Sequence, residues 1–314
     1  MYKAILEEIQ KYDSIVIFGH TNPDGDCYGS QIALRESIKL TYPNKKVYAV
    51  GSGVKRFFKT IGEMDVISEN VIEQSLAILV DGNDIPRMED QRVRKAKAFV
   101  KFDHHVDIGS FTEGPSIVRE DATSCCEIIL DFLRDNHFMI NQTIAQAILL
   151  GIITDTARFQ FVEDFPKVFK DASFLCDNGA DPNALNAVLN LTNERAAAFK
   201  GYVFSHYRKT QEGVLYLRLS YKQLKRFHLS PNAASSYVNL LSNIQGYPIW
   251  VFFCENEDGS LHIEFRSNGP AVQPVAAKYG GGGHALAAGV TIVNPTDEII
   301  ANIIEDLNNL IRTH

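Results

Sequence analysis

Hydrophobic residues in the first third of the chain form short continuous runs, separated by longer polar or amphipathic stretches. The runs are SIVIFGH, KKVYAV, LAILVD and AFVKFDHH, which begin at residues 14, 45, 76 and 98. A strand that is covered on both faces is apolar at nearly every position, and parallel strands need crossover helices between them. The pattern therefore predicts an N-terminal doubly wound α/β domain with a mainly parallel sheet.

After residue 124, apolar residues recur at helical spacing. We expect helices in CCEIILDFLRD and NQTIAQAILLGIITD, and over residues 167–178, 182–189 and 193–209. The pattern then changes again: GVLYLRLS, PIWVFFCE and LHIEFRS are typical of strands, whereas PNAASSYVNLLSNI and the tail from Thr296 are typical of helices. We predict a smaller C-terminal α+β domain, with boundaries at 1–190 and 191–314.

Composition places the chain among ordinary globular proteins, with 314 residues of which 45% are hydrophobic and 22% are charged. No apolar run is long enough to span a bilayer, and the acidic N-terminus does not resemble a secretory signal. The chain has five cysteines, which is an odd number, and no two of them are spaced as CxxC. This pattern favours reduced thiols. We therefore expect a cytoplasmic protein. The formal charge of −7 argues against binding of long nucleic acids.

Acidic and histidine residues gather where the predicted strands end. They are His20, Asp24, Asp26, Asp81, Asp103, His104 and His105, and Asp155 ends an apolar helix that could pack beside them. In open α/β sheets these strand ends border the ligand crevice. Clustered carboxylates repel one another unless cations are present, and imidazole with carboxylate suits Mn²⁺, Fe²⁺, Co²⁺ or Zn²⁺. The ligands are too many for one ion, so we predict two metals that share a carboxylate and activate a water for attack at phosphorus.

Six segments of the sequence resemble a known family. HTNPDGD (20–26), VDGND (80–84), FDHHV (102–106) and TDTARF (154–159) resemble the four motifs of the DHH phosphoesterase superfamily. FRSNG (265–269) and GGGGHALAAG (280–289) resemble the DHHA1 substrate-binding domain. Within the superfamily, the chain is most similar to the NrnA-type branch of nanoRNases and pAp phosphatases, and close to the DhhP-type dinucleotide phosphodiesterases.

The resemblance implies an active site in a cleft between the two domains, with two Mn²⁺ ions for which Co²⁺ or Mg²⁺ could substitute. One ion would be held by His20, Asp24 and Asp81, and the other by Asp26, Asp81, His104 and Asp155. His105 would face the substrate phosphate. Asp103 would orient a histidine ligand from behind.

The glycine-rich tail suggests an anion-binding site. Four consecutive glycines let backbone N–H groups converge on an anion, and an arginine can bind phosphate through two hydrogen bonds. The resemblance assigns the phosphate end of the substrate to residues of the two C-terminal motifs, namely Arg266, Gly282, Gly283 and His284. We add Ser267 and Arg158 as candidate substrate-binding residues.

The leading hypothesis is a Mn²⁺-dependent phosphodiesterase and phosphatase that acts on short oligoribonucleotides, on dinucleotides such as pApA, and on 3′-phosphoadenosine 5′-phosphate (pAp). The expected partners are these short substrates, with no long duplex and no membrane. Alternatives are a cyclic-dinucleotide phosphodiesterase, an inorganic pyrophosphatase, which would carry a different second domain, and a nucleotide-binding sensor, which would lack a metal ligand. A homodimer is compatible with the sequence but does not follow from it.

Overall fold

The computed structural model describes residues 2–106, 109 and 111–313. The chain divides into two compact units, Met1–Leu191 and Thr192–His314. None of the helices in this described part combines the length and apolar character that crossing a bilayer requires.

The N-terminal unit contains the predicted parallel sheet. Its strands are β1 (Ser14–Phe18), β2 (Lys46–Val50), β3 (Leu76–Val80), β4 (Ala98–Asp103) and β5 (Ser116–Val118). All neighbours are parallel, in the order β2-β1-β3-β4-β5. The order reverses between β1 and β3, and the carboxyl ends of strands at such a reversal are the usual ligand site of this architecture. The predicted fold class is confirmed, whereas the three-residue strand β5 was not anticipated.

Helices cover this sheet on both faces. They are α1 (Lys3–Lys11), α2 (Gly25–Thr41), α3 (Phe58–Ile61), α4 (Glu69–Glu73), α5 (Cys125–Asp135), α6 (Gln142–Asp155), α7 (Phe165–Asp177) and α8 (Pro182–Asn190). Alternate residues of β1 belong to different apolar clusters. Ile15 and Ile17 pack with α2, α5 and α6, whereas Val16 and Phe18 pack on the opposite face of the sheet. All five residues of β3 are buried, which explains its continuous apolar run.

The C-terminal unit is built on a mixed sheet with strand order β10-β11-β9-β8-β7-β6. The strands are β6 (Arg208–Lys209), β7 (Val214–Leu219), β8 (Ile249–Glu255), β9 (Leu261–Ser267), β10 (Gly282–His284) and β11 (Ala287–Ile292). Its helices are α9 (Glu194–His206), α10 (Tyr221–Arg226), α11 (Pro231–Ser235), α12 (Gln273–Lys278) and α13 (Asp297–Thr313). One face packs on α13 and the other on α9 to α11. The expected α+β organisation is confirmed.

Candidate active site

Three predicted ligands meet at the carboxyl edge of the N-terminal sheet. His20 follows β1, Asp81 follows β3 and His104 follows β4, so their side chains border the reversal in strand order. Asp81 adopts a left-handed backbone conformation with φ of 56°, which is costly for a non-glycine residue. Its N–H donates a hydrogen bond to the carbonyl of Phe102 on the neighbouring strand, and this bond helps to hold the conformation. Backbone strain of this kind concentrates at functional sites.

Asp81 lies at the centre of the cluster. Its Oδ2 is 3.4 Å from Nε2 of His20, and its Oδ1 is 3.4 Å from Nε2 of His104. The same nitrogen of His104 lies 3.3 Å from Oδ2 of Asp155 and 3.9 Å from Oδ2 of Asp26. The structure thus brings together five of the six predicted metal ligands, in two groups that are linked by Asp81 and His104.

The first turn of α5 fixes the carboxylate of Asp26. The backbone N–H of Cys125 donates to Oδ2 at 2.7 Å, and that of Cys126 donates to Oδ1 at 2.9 Å. The N-terminus of a helix carries free N–H groups and a positive dipole end, so it stabilises an anion there. Asp26 is fully buried and is therefore held in one orientation.

The last residue of α6 supplies Asp155, and the chain then turns sharply. Ala157, Arg158 and Phe159 all have positive φ, and the hydroxyl of Thr156 accepts a hydrogen bond from the N–H of Phe159. Arg158 is exposed, and its Nη2 donates to Oδ1 of Asn190 at 2.6 Å. The predicted phosphate contact of Arg158 would have to replace this bond.

Asp24 is the predicted ligand that lies apart from these groups. It is exposed, and its Oδ1 caps α2 by accepting hydrogen bonds from the N–H groups of Asp26 and Cys27 at 3.0 Å. The thiol of Cys27 instead lies with His20 and Asp81. Burial raises the pKa of Cys27 well above its usual value, so the neutral thiol is a poor ligand and packs in the core.

Mutual electrostatic effects shift the pKa values of the cluster. The hydrogen bond to Asp81 raises the pKa of His20 to about 9. Burial lowers the pKa of His104, but its carboxylate neighbours outweigh this and raise it to about 9. Burial and the charge of Asp81 raise the pKa of Asp26, and burial raises that of Asp155 to about 6. Protons therefore occupy several of these groups when no cation is bound.

Asp103 contacts His105 and not His104. Its Oδ1 lies 2.9 Å from Nδ1 of His105 and accepts a second hydrogen bond from the N–H of His105 at 3.2 Å. A carboxylate only accepts, so Nδ1 is the donor. The residue that Asp103 orients is thus the one predicted to face the substrate, and the expectation that it orients a metal-ligating histidine needs this correction.

The donor set fits divalent cations. Oδ1 of Asp81 is buried and receives no hydrogen bond within the described part of the chain, although imidazoles surround it. A buried oxygen without a hydrogen bond retains part of its desolvation cost, which a bound cation would offset. Imidazole nitrogens with carboxylates suit Mn²⁺, Co²⁺, Fe²⁺ or Zn²⁺.

The two C-terminal motifs meet in one row of the second sheet. Arg266 of β9 pairs with Ala287 of β11, which in turn pairs with His284 of β10. Directly paired residues point to the same face, so Arg266 and His284 flank the small side chain of Ala287. Oε1 of Glu264 holds Nη1 of Arg266 at 2.5 Å. The row presents a guanidinium and an imidazole on either side of Ala287.

Two details of the tail differ from expectation. Gly282, Gly283 and His284 form the edge strand β10 and are not an open anion-binding turn, because they pair with β11. Ser267 alternates to the face opposite Arg266, and its buried hydroxyl accepts from the N–H of Gly269 at 3.0 Å. The hydroxyl of Ser267 therefore does not join the row.

Sequence reasoning missed two residues behind the metal ligands. Gly151 of α6 lies so close to Asp26 that a Cβ there would fall 2.6 Å from Oδ1. Lys101 is fully buried in β4 and contacts Asp103. Lys101 could have been noticed, because it is a charged residue inside a run that otherwise predicts a buried strand.

Comparison with known proteins agrees with this geometry. Residues 14–152 match the DHH family, N-terminal domain, and residues 211–313 match the DHHA1 domain. The bifunctional oligoribonuclease and PAP phosphatase NrnA of Mycoplasma genitalium is 35% identical over 305 residues, covering 96% of this chain and 95% of the relative. The protein of that name from Bacillus subtilis is 31% identical over the full length of both chains.

The chain belongs to the DHH/DHHA1 phosphoesterase family. A solved structure, an exopolyphosphatase-related protein from Bacteroides fragilis, shares the fold with a TM-score of 0.83 at 20% identity, covering 98% of this chain and 96% of that one. Membership confirms the predicted enzyme class, a hydrolase of phosphate esters. The DHH match contains His20, Asp26, Asp81 and His104 and ends three residues before Asp155, whereas the DHHA1 match contains Arg266 and His284.

Proposed function

We propose that this DHH/DHHA1 protein hydrolyses short oligoribonucleotides and dinucleotides, and also removes a phosphate from pAp, with Mn²⁺ as its preferred cofactor. The observation that carries the proposal is the joint presence of the Asp81-centred cluster and the Arg266–His284 row. Relatives that are similar over nearly the whole chain are named for both activities, which supports the assignment.

In this proposal His20, Asp24 and Asp81 would hold one divalent ion, although Asp24 lies apart from the other two side chains. Asp26, Asp81, His104 and Asp155 hold the other. When bound, such a pair of ions supplies positive charge to the phosphate and lowers the pKa of an attacking water. The −7 charge of the chain omits these ions, so it does not conflict with an anionic substrate.

The remaining residues would bind and orient the substrate. His105 would face the phosphate that is cleaved, with its ring oriented by the hydrogen bond from Nδ1–H to Asp103. Arg266 and His284 would bind a phosphate at the other end of a short substrate. With no broad basic surface evident from the composition, a short anion suits the chain better than a long strand.

A hydrolysis panel tests the proposal. The purified protein is assayed with Mn²⁺, Co²⁺ and Mg²⁺ on pAp, a diribonucleotide, pApA, a 20-residue RNA, cyclic di-AMP and inorganic pyrophosphate. We expect turnover of pAp, pApA and the diribonucleotide, fastest with Mn²⁺. Hydrolysis of cyclic di-AMP or pyrophosphate alone would replace this assignment with one of the alternatives.

A further inference from the structure

Lys101 is a lysine in the interior of a parallel sheet. It lies on β4 between β3 and β5, and its side chain is 1% exposed. Its neighbours on that face of the sheet include the apolar residues Phe99 and Leu79. Burial of an ammonium group among such residues costs several kcal/mol unless it is paired. A lysine buried at such a position therefore needs a partner for its charge.

The partners of Lys101 connect two loops of the active site. Nζ donates to the backbone carbonyl of Asn83 at 3.1 Å and lies 3.7 Å from Oδ2 of Asp103. The ring of Phe111 covers it, with the centroid 5.4 Å away. Asn83 is two residues after Asp81, and Asp103 immediately precedes His104. The ammonium group of Lys101 thus contacts the loop that follows Asp81. It also contacts the last residue of β4, after which His104 and His105 follow.

Asp103 connects Lys101 with His105, since it contacts both side chains. Asp103 is fully buried, and its two oxygens are divided between its neighbours: Oδ1 accepts from His105, whereas Oδ2 faces Lys101 and accepts no hydrogen bond within the described residues. Without Lys101, the partners of this buried carboxylate would be the ring and N–H of the half-exposed His105. Because Lys101 lies beside Oδ2 of Asp103, Oδ1 is the oxygen that faces His105, and an acceptor at this place holds the Nδ1–H of the ring and fixes its orientation.

We propose that Lys101 is a positioning residue for phosphoester hydrolysis, which acts through Asp103 to fix the orientation and tautomer of His105. The proposal rests on the proposed function for the role of His105, but the contact chain Lys101–Asp103–His105 is independent of the substrate. Lys101 touches no substrate itself, so its removal should slow turnover and leave substrate affinity nearly unchanged.

Kinetics of Lys101→Met provide the first test. Methionine keeps the apolar stem and the volume of lysine but removes the charge. A second variant, Lys101→Gln, likewise removes the charge but keeps a hydrogen-bond donor for the carbonyl of Asn83. We expect kcat for the diribonucleotide to fall about 10- to 100-fold, with KM within about twofold of wild type. Lys97→Met, an exposed lysine just before the same strand, should match wild type. In a His105→Gln background, Lys101→Met should add little further loss, because both changes affect the same group.

Imidazole NMR of the metal-free, ¹⁵N-histidine-labelled protein supplies a readout that needs no activity. The His105 signals, assigned by their loss in His105→Gln, should show the Nδ1–H tautomer in wild type and a mixture of tautomers in Lys101→Met and Lys101→Gln. Unchanged His105 signals in these variants would overturn the inference. It would also be overturned if Lys101→Met lowered kcat by the same factor in the wild-type and His105→Gln backgrounds. Loss of the folded state in both variants would also overturn it in favour of a purely structural role. If wild type hydrolyses none of the substrates, the proposed function fails, but the NMR comparison still decides the contact chain.

Discussion

At the scale of single residues, Asp81 determines how the centre is built. It is buried and held in a strained left-handed conformation, a state that costs about 1–3 kcal/mol. Its place in the cluster could be predicted because an acidic residue follows a buried strand. Its strain could not, because φ depends on the hydrogen bond to Phe102 across the sheet. The position of Asp24 apart from the cluster was equally hidden, because a motif names a residue without placing it; in the structure its Oδ1 caps α2.

The raised histidine pKa values predict a pH-dependent metal affinity. His20 and His104 have pKa values of about 9 without metal, and an imidazole must lose its proton to bind an ion. Apparent Mn²⁺ affinity should therefore rise as the pH increases from 6 to 9. Isothermal titration calorimetry at pH 7, in buffers of different ionisation enthalpy, should show net release of protons when the site fills. Equal affinity at pH 6 and pH 9, without proton release, would contradict this arrangement of ligands.

At the scale of elements, helix packing places ligands that are far apart in sequence. Asp26 on α2 is bound by the N-terminus of α5, whose Cys125 and Cys126 are 99 and 100 residues away. Each helix could be predicted from its periodicity, but the meeting of their ends could not, because local patterns carry no information on which termini become neighbours. The same limit applies to β10, which appears as a glycine-rich loop in the sequence and becomes a strand only through pairing with β11.

Gly151→Ala tests this packing. A methyl group there would collide with Oδ1 of Asp26 and with Cys126, so α6 must shift away from α2 and α5. We expect a destabilisation of about 1–3 kcal/mol in denaturant unfolding and a weaker Mn²⁺ affinity.

Gly201→Ala is the matched control, because a Cβ at this position of α9 would meet no described atom within 4 Å apart from its chain neighbours and the adjoining helix backbone. It should leave metal binding unchanged and stabilise the protein by about 0.5–1 kcal/mol, the usual gain when alanine replaces glycine in a helix. Metal affinity that is unaffected by Gly151→Ala would show that α6 does not constrain Asp26.

At the scale of the whole molecule, the candidate metal ligands and the proposed phosphate-binding row belong to separate compact units. The sequence predicted both units and most of the charged groups, because the motifs lie where strands and helices end. It did not reveal Lys101 or the pairing of Glu264 with Arg266. Lys101 interrupts an apolar run and could have been noticed, but its contact with the carbonyl of Asn83 exists only in the fold. Glu264 and Arg266 are two residues apart and share one face only because β9 is a strand.

Arg266→Ala tests the assignment of binding to the C-terminal unit. Loss of charge-assisted hydrogen bonds to phosphate should raise KM for pAp and the diribonucleotide about 10- to 100-fold. The metal content, measured by elemental analysis, should stay at the wild-type level. Arg218→Ala, which removes an exposed arginine paired with Asp297, serves as the control and should leave KM unchanged. Loss of metal in Arg266→Ala would show that the row does not act in substrate binding alone.

We propose that the Asp81 cluster performs metal-dependent hydrolysis of short nucleotides. The most direct test compares wild type with Asp81→Ala in Mn²⁺-dependent cleavage of a 5′-labelled diribonucleotide, after circular dichroism has shown that both are folded. We predict wild-type turnover that a chelator abolishes, and a rate for Asp81→Ala that is lower by about 1000-fold or more, since the charge stabilisation lost is worth several kcal/mol. Activity of Asp81→Ala within about tenfold of wild type would contradict the account.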